Sequence, residues 1–232
     1  PSETISMRDR VRTVLTGKHP VKLPFVDRLA LWHDHHSNRQ TIPEAYQGMN
    51  MNEIHQDIGM GRQKFIMPQA LKLHGVELKV HHNREMFMQE VDPVYQEFPA
   101  LNAPDFVPRD KAGDTRIEFL TSRGRLKITY TITESMASNK GAAPYLTEHL
   151  IKENADYEVA EYIIEKSEII NRFDMVSEAE EDIGEHGFVV PRVHRIPFQQ
   201  ALLEYLGEVP LFTALYDNKD RLNRLLKVLD EQ

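Results

Sequence analysis

Cysteine is absent from the 232 residues. Its absence removes disulfides, thiolate nucleophiles and thiolate metal ligands from the chemistry open to this chain. No run of about eighteen apolar residues occurs, so no transmembrane helix is expected. The first residues lack the charged-then-apolar pattern of a secretory signal, and a cytoplasmic location is the expectation. Basic residues form no stripe and the formal net charge is −8, which argues against nucleic acid as the main partner. Internal repeats and low-complexity segments are also missing. What is present is an ordinary globular composition, 41% hydrophobic, able to supply the core of one large or two small domains.

Periodicity and turn residues divide the chain into three stretches. Up to about Gly75 it reads as mostly helical. Ser6 is an N-cap, Val11, Val14 and Leu15 share one face of a short helix, and Gly17, Pro20 and Pro24 stop it. Residues 43–49 and 52–58 carry helical spacing, and 59–62 mark a break. The middle stretch is β-rich. Residues 76–81 read as a strand, and 116–121 with 125–132 alternate apolar and polar residues around Ser-Arg-Gly, a hairpin pattern. Between them Pro93, Pro99, Pro104 and Pro108 break every regular pattern. From Pro144 onward helix and strand alternate. A helix runs through Tyr157, Ala160, Ile163 and Ile164, a β-branched strand spans 188–193, a helix spans 198–206, and Leu222, Leu225, Leu226 and Leu229 line a last one. The acidic block Glu178, Glu180, Glu181, Asp182 and Glu185 reads as a solvated helix end.

The densest chemistry lies in residues 23–46, LPFVDRLALWHDHHSNRQTIPEAY. The apolar run Leu29, Ala30, Leu31, Trp32 reads as a strand that empties into His33, Asp34, His35, His36, Asn38 and Arg39. So many polar groups are not buried without partners. A strand ending in such a cluster is the rim of a site, and an exposed polar loop fits the same residues. On an extended segment side chains alternate, so His33 and His35 would share a side and, with Asp34, form an acid–base pair or a metal site. No structural metal is expected. His194, between Arg192 and Arg195 at the end of the 188–193 strand, is the stronger catalytic position, with Pro191 and Pro197 fixing its loop; a plain turn reads equally well. His81 and His82 read as surface residues at a strand end.

Helix, glycine stop, proline-bounded linker, apolar strand and polar cluster, in that order from ISMRDRVRTVLTGKHPVKLPF onward, resemble the start of the uroporphyrinogen decarboxylase-like superfamily. A second phrase, GFVVPRVHRIPFQQALLEYLGEVPLFTALYDNKDRLNRLLKVLDE, is similar to the family's strand, proline, helix run. The resemblance implies a (β/α)8 barrel. Such a barrel takes about 250 residues, and the sequence supplies too few parallel strands to close one. The expected fold is therefore α/β: an incomplete or truncated (β/α)8 barrel with an N-terminal α+β elaboration that includes a β-hairpin. Residues 1–143 would hold the helical segment, the first barrel strand and the elaboration; 144–232 would hold β/α units of the same continuous domain.

Two chemistries compete within this superfamily. The decarboxylases carry a phrase like W-x-M-R-Q-A-G-R-Y-L-P-E-Y, whose arginines hold tetrapyrrole carboxylates in bidentate fashion. In WHDHHSNRQTIPEAY, Arg39 stands at the second arginine's offset from Trp32, but His35 replaces the first arginine and Asn38 the glycine. HGVELKVHHNR, residues 74–84, lacks the expected aspartate, and Leu203 stands where a tyrosine is expected, with Tyr205 close by. These departures favour the other branch, the corrinoid-linked methyltransferases, whose "gd.....T..G.l" phrase resembles GDTRIEFLTSRGRLKITYTITE.

The resemblance implies a parent enzyme that demethylates a small methylated substrate with a corrinoid on a separate partner protein, this portion alone being inactive. It implies no tightly bound cofactor here, and zinc only in a longer parent. Tetrapyrrole decarboxylation and a non-catalytic half-barrel, completed by a homodimer partner or a second polypeptide, are the alternatives. The site residues expected are His33, His35 and His194 as catalytic groups and Trp32, Asn38, Arg39 and Arg192 as substrate-binding groups, converging on one cleft. Arg39 and Arg192 would hold an anionic group.

Overall fold

Residues 5–96, 104–139 and 143–232 are described by the computed structural model; Pro99 lies outside them. Three helices, α1 (Met7–Leu15), α2 (Leu29–Arg39) and α3 (Met51–Asp57), precede β1 (Arg62–Ile66). Next come β2 (Gln69–Leu73), β3 (Glu77–His82), β4 (Glu85–Val91), the short β5 (Val94–Tyr95), β6 (Gly113–Thr121), β7 (Gly124–Ile132), α4 (Glu134–Asn139) and β8 (Tyr145–Glu148). The remainder holds α5 (Asn154–Lys166), β9 (Ser167–Asn171), α6 (Asp174–Ile183), β10 (Gly187–Pro191), α7 (Pro197–Gln200), α8 (Glu208–Asp217) and α9 (Lys219–Asp230). A π-helical turn, Ala201–Leu206, extends α7. The protein is thus mixed α/β. Its strands fall into sheets ordered β1-β10, β5-β2-β9 and β4-β3-β6-β7-β8 among the described residues. No helix among those residues is long and apolar enough to cross a membrane.

Two compact units divide the chain, one made of Pro1–Pro68 with Arg172–Arg192, the other of Gln69–Asn171 with Val193–Gln232. Each therefore draws on both sides of the 143/144 position. In the first unit Ser6 caps α1 as its composition dictates, its Oγ accepting from the Asp9 amide at 3.1 Å. Asn50 and Glu53 form a reciprocal capping box at the head of α3. β1 and β10 run parallel, from Arg62 beside Gly187 to Ile66 beside Pro191. A parallel bridge of Val26 to Gly61, with the Gly61 amide donating to the Phe25 carbonyl at 2.7 Å, carries this arrangement to the residues before α2. Ile54, Met60, Ile66, Ala179 and Ile183 are its buried apolar residues, with His55 buried among the polar ones.

The run Leu29–Trp32, expected as the first barrel strand, is the first turn of α2. The correction has a local cause. Leu, Ala, Leu and Trp include no β-branched residue, and neither proline nor glycine interrupts the stretch from Val26 to Thr41. The helix continues until Gln40 takes up left-handed backbone at φ 56°. Residues 43–49 hold only a single 3-10 turn, Glu44–Tyr46.

The second unit carries the larger core. The hairpin expected at 116–132 is β6–β7, with Thr121 beside Gly124 across the turn. Alternation puts Leu78, Val80, Ile117, Phe119, Leu126, Ile128 and Ile132 on the inner face of the five-stranded sheet, all buried. Tyr157, Ala160, Ile163 and Ile164 of α5, and Leu222, Leu225 and Leu229 of α9, bury apolar stripes in the same cluster. The other face of the sheet carries charged and polar side chains.

Candidate functional site

The site with the strongest chemical character lies in the second unit, on the segment that runs from His194 through α7 and its π-helical extension. Pro197 opens the helix at a position where its missing amide is no loss. The π-helical turn that follows contains Glu204, and such turns recur at functional sites. Glu204 is 3% exposed. Its Oε1 receives the Arg195 Nη1 at 3.0 Å, while Oε2 is buried with no hydrogen-bond partner among the described residues. Burial pushes the Glu204 carboxyl up to about 7, against the opposing pull of Arg195. Gln200, also buried, donates Nε2 to the Arg195 carbonyl at 2.6 Å and so fixes the strand-to-helix loop.

Two buried phenols, Tyr205 and Tyr130, feel the charge of this carboxyl. Tyr205, Tyr130 and Tyr95 are all buried, and burial drives each hydroxyl far above its ordinary value. The Glu204 charge adds to the rise at both Tyr205 and Tyr130. Tyr95 packs edge-on against Phe106 at 5.0 Å, its hydroxyl buried without a partner among the described residues. Burial keeps the phenols protonated and brings the Glu204 carboxyl near neutrality. His194, just before Arg195, has its Nε2 buried and unpartnered among the described residues, and burial lowers its pKa. A partly buried imidazole and a buried carboxyl thus sit on one short segment.

The residues expected to form the site distribute as follows. Trp32, His33, His35, Asn38 and Arg39 all lie on α2, which buries no residue. Helical geometry replaces the strand alternation expected for His33 and His35, and turns these two imidazoles to different sides. Trp32 instead meets His36 at 5.0 Å and Tyr46 edge-on at 6.1 Å, while His36 Nδ1 contacts the Thr41 hydroxyl at 2.9 Å. His33 Nδ1 lies 3.7 Å from Asp34. Arg192 stacks its guanidinium 4.6 Å from the Phe65 ring centre, and Arg28, at the head of α2, approaches the same ring at 5.8 Å. His194 belongs to the second unit with Arg195 and Glu204.

Glu204 and Gln200 did not stand out in the sequence. The signal that finds them is a polar pair at helical i, i+4 spacing on the same face as Ala201, in a mostly apolar helix. Among the described residues no three His, Asp or Glu side chains gather as a metal-ligand set. No protein-family model, curated protein or solved structure matches the chain.

Proposed function

We propose that this protein serves demethylation of a small methylated substrate, with Glu204 as the general acid, in the manner of the corrinoid-linked methyltransferases its sequence phrases resemble. The observation that carries the reading is a buried carboxyl whose pKa is pushed up to about 7. When an oxygen–methyl bond breaks, the electron pair of that bond stays on the oxygen, and a proton donor poised near neutrality neutralises the alkoxide as it forms. A reduced corrinoid on a partner protein would accept the methyl group. Once the proton has left, Arg195 stabilises the Glu204 carboxylate, a proton from solvent restores the acid for the next turnover, and the Gln200 contact holds Arg195 in its loop. The parallel β1–β10 pair, with α6 leading into β10, supports the (β/α)8 reading. In the first unit, Arg39 and Arg192 are assigned to an anionic group.

The test uses the natural polypeptide that carries these residues, mixed with an aryl methyl ether and a reduced corrinoid protein, and follows the cobalamin spectrum. Methylcobalamin should form, and Glu204→Gln should slow it about a hundredfold or more. Unchanged turnover in Glu204→Gln would remove the general acid. Release of carbon dioxide from a tetrapyrrole instead would overturn the choice of reaction.

A further inference from the structure

We infer that the outer face of the five-stranded sheet holds a binding site for a phosphate monoester, centred on His81, Arg84, Arg116 and Lys127. These side chains line a concavity of about 370 Å³ together with Asp114 and Thr129. Three cations face one carboxylate there, in a chain whose net charge is −8. Register explains the convergence. His81 pairs with Arg116 and Arg116 with Thr129 across neighbouring strands, so the three stand in one row. Lys127, two residues before Thr129, points from the same face. Asp114, the single acid of the lining, accepts the Thr131 hydroxyl at 2.6 Å.

Arg84 supplies the second observation. It occupies the turn between β3 and β4, where Asn83 and Arg84 have φ of 49° and 72°. Such two-residue turns favour glycine at the second place, and a side chain there is strained. The turn is held rigidly: the Asn83 amide donates to the Asp114 carbonyl at 2.9 Å, and Asn83 Oδ1 accepts from the Asp114 amide at 3.1 Å. A Cβ on Gly113 would sit 2.0 Å from Asn83 Oδ1, so only glycine allows this anchor. The strained turn therefore presents a guanidinium that makes no hydrogen bond or ion pair among the described residues.

Donors remain on the other members too. Arg116 uses Nε on Glu118 at 3.1 Å, and Lys127 pairs with Glu148 at 3.0 Å, which leaves further N–H groups on both. His81 Nδ1 is buried with no partner among the described residues. Donors arriving from a turn and three strands exceed what the two oxygens of a carboxylate accept. They match the three terminal oxygens and double charge of a phosphate monoester. The volume leaves room for the organic group.

Titration of the full chain with inorganic phosphate and with phenyl phosphate, followed by NMR of the His81 ring, tests the site. Both ligands should shift the ring signals saturably, and Arg84→Asn and Lys127→Met should each weaken binding about tenfold or more. Asparagine tolerates positive φ, so Arg84→Asn keeps the turn, and Lys127→Met provides an independent reading if that variant loses its fold. Lys227→Gln, at an exposed side chain of α9, should leave affinity unchanged. Absence of a ring shift in the wild type, equal affinity for acetate, or an equal loss in Lys227→Gln would each overturn the proposal.

Discussion

Glu204 is held between two charge states by burial on one side and Arg195 on the other. Its folded pKa, about 7, lies above the ordinary 4.5, so the folded state keeps a proton that the unfolded chain releases. The sign follows: the group favours folding below pH 4.5, and this advantage is lost as pH rises toward about 7. The full cost at higher pH is about 3 kcal/mol. Glu204→Gln should therefore match the wild type near pH 4 and exceed its stability at pH 8 by up to that amount, as read from urea denaturation at both pH values. A stability gap that does not change with pH would place the shift elsewhere. His194 acts in the opposite direction. Its pKa is lowered by burial, so its contribution is present above the ordinary 6.5 and is lost as pH falls through the folded value. Arg192 offers a simpler check. Its stacking on a partly exposed Phe65 should contribute about 0.5–1 kcal/mol, so Arg192→Ala should lower the denaturation midpoint slightly.

At the scale of elements, the β1–β10 pair depends on one glycine. A Cβ on Gly187 would lie 1.7 Å from the Arg62 carbonyl oxygen, a backbone atom that cannot swing aside. Gly187→Ala should cost about 1–3 kcal/mol by forcing the parallel strands apart. Gly184→Ala is the useful comparison. There φ is 53° and nothing lies near a Cβ, so the cost should be only the conformational one, about 1–2 kcal/mol. A Gly187→Ala variant as stable as the wild type would show that the strands tolerate a side chain there. Legibility at this scale followed the strength of local patterns. The β6–β7 hairpin and helices α5 and α9 were readable because strict period-2 or period-3.6 spacing matches a single buried face. The α2 segment was misread because four apolar residues fit either period. β1 and β2 were not recognised; Arg62–Ile66 has only two apolar side chains, and its pairing partner lies far along the chain.

For the molecule as a whole, core size sets the order of local opening. In the second unit buried apolar residues from four helical elements (α5, the π-helical extension of α7, α8 and α9) and five strands join one cluster, whereas α2 buries nothing. Native-state hydrogen exchange should find the amides of Ile117 and Ile128 protected up to global unfolding, and those of His33 and His36 exchanging about a hundredfold faster or more. Protection of α2 equal to that of β6 and β7 would contradict this ranking. The α/β class, the capped first helix, the hairpin and the terminal helices are legible from the residues alone, because they rest on spacing and capping among near neighbours. The sequence also marked His194 and Arg192 as residues at the end of a strand. Burial of Glu204 against Arg195, and the concavity lined by Arg84, Arg116, Lys127 and His81, come from folding. A pKa depends on desolvation by residues distant in sequence, and a charge cluster on a sheet depends on register. Neither quantity exists until the strands have paired and the core has closed.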